Sequence, residues 1–302
     1  MGNGLCPATY LHPLVPELSS SEDSAAMISL QITLFRNQGF CIGIASHHAV
    51  LDEFPLLPED LIPCFDRTGI NFLSGLETKM LELLLYLSKD IDDLRSLKLP
   101  PIKDISSDVV RATLELTPKN IEKLRERVKN ESYRSPLELH MSTFVISHRL
   151  DPQVPARYFV NWVFLISWFE YQARTFLEED GFIKAVEILS DSVKSLSSRG
   201  IKSICEDFVE GSKNMIPDAQ IGSVAWSSQF GLYGSDFGWG RPAKTGVVSI
   251  DRNEAFSMSE RRDEPGGMEI EICLKKCEMN IFLSLFKNGL SDYAFRSFLC
   301  FE

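Results

Sequence analysis

The sequence lacks most of the compositional signs that would point directly to a function. None of its seven cysteines (Cys6, Cys41, Cys64, Cys205, Cys273, Cys277 and Cys300) belongs to a C-x-x-C pair or stands at metal-ligand spacing from a histidine. This excludes the common zinc clips, and it predicts reduced thiols in a cytoplasmic protein with no metal. No run reaches the roughly 18 apolar residues of a membrane span, and no basic stretch leads into an apolar one as in a secretion signal. Gly2 stands where a myristoylated glycine would, but Cys6 occupies the place of the required Ser or Thr. No membrane partner is expected. Positive charge is also scarce: 31 Lys and Arg face 42 Asp and Glu, a net charge of -11. Backbone-directed nucleic-acid binding needs clustered cations, so that class is excluded. A G-x-S-x-G nucleophile elbow is missing, which argues against a serine hydrolase. Repeats and low-complexity tracts are missing too.

What remains is ordinary globular material. The 302 residues are 44% hydrophobic and 24% charged, enough for one large core or two smaller ones. Residues 28–36 alternate, with Ile28, Leu30, Ile32 and Leu34 on one face and Ser29, Gln31 and Thr33 on the other. Asn37, Gln38 and Gly39 then turn the chain into a second alternating run from Phe40 to Ala45. The pattern predicts a hairpin with one wet side. A Leu-rich helix is expected over 76–94 and a strand over 108–116. Thr117 then caps a helix with Pro118 in its first turn. A helix over 182–196, a strand over 245–250, a strand over 268–274 and a helix over 278–287 follow, with an aromatic tail from residue 290. Mixed strands and helices without a strict β-α-β rhythm predict an α/β (mixed α+β) fold.

Two runs carry candidate chemistry. His48 and Asp52 form an H-x-x-x-D spacing just past the predicted hairpin. An imidazole titrating near neutrality can accept a proton there. The spacing alone is common, and a histidine satisfied by local hydrogen bonds explains it equally well. The second run is Asp236, Phe237, Gly238, Trp239 and Gly240; five specified residues arise by chance on the order of 10⁻⁴ or less. Its first three residues invite a kinase reading, but Leu150 follows His148-Arg149 where the catalytic Asp of H-R-D would stand.

Taken together, H-H-A-V-L-D and D-F-G-W-G resemble the two signature motifs of the BAHD plant acyltransferases. Tyr158-Phe159-Val160-Asn161-Trp162 resembles a motif of the clade that transfers malonyl groups to phenolic and anthocyanin glucosides. The resemblance implies a chloramphenicol-acetyltransferase-like pair of domains with a channel between them, here divided as residues 1–146 and 147–302. It implies an O-acyltransferase in which His48 is the general base and Asp52 orients it. Acyl-CoA, specifically malonyl-CoA, would be the co-substrate, with a small-molecule acceptor and no permanently bound cofactor. Asp236 would pair with Arg149, and Arg241 and Lys244 would meet the phosphates of coenzyme A. A monomer is expected. The sequence also departs from the family pattern. Glu53 replaces a glycine, and segments expected before residue 12 and next to His48 are missing. An inactive, shortened member that at most binds ligands is the alternative.

Overall fold

The computed structural model describes residues 5–21, 23–47, 78–79, 81–82, 85, 104–131, 141–146, 163–168, 173–195, 201–214, 222–225, 231–251 and 255–290. The main element is a seven-stranded sheet of β1 (Cys6–Pro7), β4 (Val109–Leu116), β5 (Met141–Ile146), β6 (Val163–Trp168), β7 (Gly222–Ala225), β8 (Ala255–Glu260) and β9 (Met268–Lys275). Its strand order is β1-β4-β9-β8-β7-β5-β6, with β5–β7 and β7–β8 parallel and the other pairs antiparallel. A separate two-stranded hairpin joins β2 (Ile28–Phe35) to β3 (Gly39–Ser46). The longer helices among the described residues are α1 (Pro118–Glu131), α2 (Gly181–Ser195), α3 (Ile201–Lys213) and α4 (Lys276–Leu290). This is the expected α/β class. The sheet takes strands from both sides of residue 146.

Local chemistry explains several of these elements. Thr117 caps α1 reciprocally: its hydroxyl accepts from the Asn120 backbone N–H at 3.1 Å, and Asn120 Oδ1 accepts from the Thr117 N–H at 3.0 Å. Two otherwise orphaned donors are thus satisfied. The guanidinium of Arg127 lies 5.2 Å from the centre of the Phe182 ring, tying α1 to α2.

Period-two alternation gives β4 and β9 two different faces. One carries Ala112, Leu114, Ile270, Ile272 and Leu274, which pack with Met279, Phe282 and Phe286 of α4 into the larger apolar cluster. A smaller cluster of Ala8, Ile250, Ala255 and Cys273 lies on the opposite side. That second face also carries Arg111, Thr113, Glu269 and Glu271, and it receives the segment 231–251.

Two expectations are overturned. Residues 245–250 do not form a strand; the chain runs irregularly into a 3-10 turn over Val248–Asp251. Buried Arg111 donates to the carbonyls of Val247 at 2.9 Å and Val248 at 3.1 Å, so these groups are satisfied by a side chain instead of a neighbouring strand. The hairpin exists as predicted, but its apolar face is the wet one. Leu30, Ile32 and Leu34 are 66%, 61% and 79% exposed. The polar face turns inward because Gln31 donates to the Pro13 carbonyl at 2.7 Å. Gly43, opposite Gln31, lies against the backbone of Leu14 so closely that an added Cβ would meet its carbonyl oxygen at 1.8 Å. The expected helix over 76–94 and the tail beyond 290 lie largely outside the described residues.

Candidate active site

The D-F-G-W-G loop is organised by its own aspartate. One carboxylate oxygen of Asp236 accepts from the backbone N–H groups of Gly238 at 2.8 Å and Gly240 at 2.9 Å. Both glycines have a φ of 89°, in the left-handed region, and an added Cβ at either would meet no atom within 4 Å. They are required for their backbone conformation and not for space. Phe237 and Trp239 project outward, and Trp239 makes an edge-to-face contact with Phe40 of β3, ring centres 5.3 Å apart. The loop therefore touches the hairpin that leads to His48. The backbone there is fixed up to the preceding residue, since the His47 N–H donates to the Met27 carbonyl at 2.9 Å.

The segment carrying the loop is fastened to β9 by two glutamates on one face. Glu269 accepts from Lys244 at 2.9 Å and from the hydroxyl of Tyr233 at 3.3 Å. Glu271 accepts from Arg111 at 3.2 Å and from the Val247 N–H at 3.4 Å. The Tyr233 hydroxyl also accepts from the Thr245 N–H at 3.4 Å, and the Tyr233 N–H donates to Glu260 at 3.0 Å. Farther along, His12 meets Asp251 at 2.5 Å, fixing the 3-10 turn Ala8–Leu14 to the same segment. Burial raises the carboxyl pKa of Glu271, against the opposing pull of Arg111 and Lys244. For Lys244, burial works to lower the pKa, but hydrogen bonding to Glu269 and its charge outweigh it and the net shift is upward. Next to Glu271, residues 245–247, Ser257 and Ser259 line a recess of about the size of one water molecule.

The sequence-predicted residues are therefore placed unevenly. Asp236 to Gly240 form one compact loop. Arg241 is exposed and pairs with no carboxylate among the described residues, whereas Lys244 is already engaged by Glu269. His48, Asp52, Arg149 and residues 158–162 lie outside the described residues. Sequence reasoning missed Arg111, Tyr233, Glu269 and Glu271. The only available signal was an arginine interrupting an apolar strand in a chain poor in cations. Among the described residues no cluster of His, Cys, Asp and Glu could hold a metal. No helix among them is long and apolar enough to cross a membrane.

The Transferase family profile matches residues 123–288. A BAHD acyltransferase of Arabidopsis thaliana is 50% identical over 94% of this chain and 73% of its own length. From the same plant, an agmatine coumaroyltransferase is 45% identical, covering 96% of this chain and 74% of its own length. Its phenolic glucoside malonyltransferase 2 is 44% identical, covering 96% and 73%. Among solved structures, vinorine synthase superposes with a TM-score of 0.57 over 91% of this chain and 70% of its own, at 15% identity, a likeness of fold. With the family profile matching more than half of the chain and identities of this size over nearly its whole length, the chain belongs to the BAHD acyltransferase family.

Proposed function

We propose that this protein transfers an acyl group, malonyl in the first instance, from its coenzyme A thioester to a hydroxyl of a phenolic or flavonoid glucoside. In this reading His48 removes the proton from the acceptor hydroxyl as its oxygen attacks the thioester carbonyl, and coenzyme A leaves as the thiolate. Asp52 orients the base, and Asp236 stabilises its loop with help from Arg149. Arg241 is the better candidate for the phosphates of coenzyme A, being exposed and without a carboxylate partner among the described residues. Lys244 would have to leave Glu269 to join it.

The observation that carries the proposal is the contact between the two motif regions: Trp239 rests on Phe40, eight residues before His48. Malonyl is favoured as donor by the likeness of residues 158–162 to the malonyl-transferring clade and by the malonyltransferase among the relatives. Coumaroyl-CoA with agmatine is the rival pair, since a relative of similar identity carries that name. A second reading, a member that binds ligands without turnover, is favoured by the bare apolar face of the hairpin. The test is release of free coenzyme A by purified protein given malonyl-CoA with a phenolic glucoside panel, and coumaroyl-CoA with agmatine. Turnover with malonyl-CoA that falls by about 10²-fold or more in His48→Ala supports the proposal. Equal turnover in both proteins removes His48 as base, and turnover in neither supports the non-catalytic reading.

A further inference from the structure

We infer that His12 and Asp251 are a positioning pair for acyl transfer: through the turn Ala8–Leu14 they set the hairpin that leads to His48 against the segment that carries D-F-G-W-G. The inference rests on the reading of His48 as the base. The turn is engaged on two sides. Towards the hairpin, the Pro13 carbonyl accepts from Gln31 at 2.7 Å, and the Leu14 backbone packs against Gly43 with no room for a Cβ. Towards the segment, His12 Nε2 meets Asp251 Oδ2 at 2.5 Å, and Ala8 shares a buried cluster with Ile250. Leu11 closes over Gly246, where an added Cβ would meet its Cδ1 at 3.3 Å. Three successive residues, His12 to Leu14, thus join two elements that are far apart in the chain.

Within that contact His12 is the directional member. The Asp251 side chain is fully buried, and that of His12 is 30% exposed. A carboxylate oxygen only accepts, so Nε2 carries the proton and donates it to the bond. Deleting the donor removes a charge-assisted bond from a desolvated oxygen, a larger loss than the apolar contacts beside it. The aim of the ring is set locally. The Val15 N–H donates to the His12 carbonyl at 3.1 Å, which closes the turn, and Pro13 fixes the next φ. The hairpin also meets the D-F-G-W-G loop through Phe40 and Trp239, so loss of the pair loosens it without releasing it. A misplacement of about 1 Å set up far from the chemistry can cost on the order of a hundredfold in rate. His12 is asked for no contact with substrate. Its effect therefore belongs in kcat and not in the KM for the thioester.

The test compares His12→Leu, His12→Gln and Gln31→Met in the full chain, by steady-state release of coenzyme A from malonyl-CoA and by hydrogen exchange read by mass spectrometry. His12→Leu lowers kcat about tenfold or more, with the KM for malonyl-CoA changed by less than about twofold. It speeds exchange of the amides over 28–47 by about tenfold, whereas those of β4 and β9 keep their protection. His12→Gln keeps an N–H donor and recovers most of both losses. Gln31→Met breaks the other side of the turn and gives the same pattern, and the double variant is little worse than either single one, because the two bonds act in series. If His12→Leu does not fold, Gln31→Met and His12→Gln carry the same comparison. A folded His12→Leu with wild-type kcat and wild-type hairpin exchange overturns the inference. So does a His12→Gln as impaired as His12→Leu, or a loss of kcat accompanied by uniformly faster exchange, the mark of a general loss of stability. A wild-type protein that releases no coenzyme A defeats the functional reading separately, and the exchange then decides alone: selective loss of hairpin protection in His12→Leu upholds the pair as the hairpin's anchor, and unchanged protection overturns it.

Discussion

Replacing Arg111 with methionine tests the claim that a buried ion pair fixes the motif-bearing segment. The side chain is 3% exposed, its partner Glu271 8%, and the substitution keeps most of the volume while removing three hydrogen bonds. Breaking a buried pair by deleting one member costs about 3–5 kcal/mol, because the remaining charge stays desolvated. That is a large part of the roughly 5–15 kcal/mol that holds a domain folded. The pH dependence separates this loss from simple repacking. Glu271 already has a carboxyl pKa raised by burial, and Arg111 is the largest influence holding it down. The variant therefore has a still higher one. Below the wild-type value both proteins carry a neutral carboxyl, so the deficit shrinks to the lost bonds to the Val247 and Val248 carbonyls, about 1 kcal/mol each. As pH rises from the wild-type to the variant pKa, Glu271 ionises in the wild type beside Arg111 and in the unfolded chain, whereas the variant must keep it protonated to avoid a poorly compensated buried charge, so the variant alone loses stability and the deficit grows. Urea unfolding followed by tryptophan fluorescence from about pH 4.5 to 8 measures this directly. Adding Glu271→Gln to the variant recovers most of the loss at the upper end. A deficit below about 1 kcal/mol at pH 8, or one that is flat with pH, refutes the argument.

Gly238→Ala and Gly240→Ala each force an L side chain to a φ of 89°, at a cost of about 1–2 kcal/mol. Gly234→Ala, where an added Cβ also meets nothing within 4 Å but φ is not positive, is the control that leaves thermal unfolding unchanged. Alkylation of the native protein, read by peptide mass spectrometry, labels exposed Cys277 before Cys205 and Cys273. Desolvation raises the thiol pKa of the latter two to about 11, leaving little of the reactive thiolate at neutral pH. Equal labelling rates at all three would contradict their burial.

The sequence carried periodicity well and orientation poorly. The hairpin, β4, α1, β9 and α4 were legible because each has a period of two or 3.6 and a recognisable turn or cap at its boundary. Which face of the hairpin meets the body was not. Alternation sorts side chains into two sets, but the inward set is chosen by Gly43, the one position where the backbone of Leu14 can approach. The same gap explains β9. The strand over 268–274 was legible, but not that Glu269 and Glu271 on it hold the D-F-G-W-G segment through partners 25 and 160 residues away in the chain. Strands β5, β6, β7 and β8 escaped because short apolar runs do not declare their partners. In the sheet, β5 joins a neighbour on either side, parallel on one and antiparallel on the other.

The motif itself was readable because its residues serve local geometry: an aspartate that collects two N–H groups and two glycines with positive φ. Local requirements leave a dense signature, whereas distant ones are spread over single residues such as Arg111. The catalytic proposal thus rests on the part of the sequence that local geometry makes most specific. The stability of its setting rests on the part least visible there. A substitution at Arg111 would loosen the loop without touching a motif residue, and a motif search would still score that variant as an intact acyltransferase.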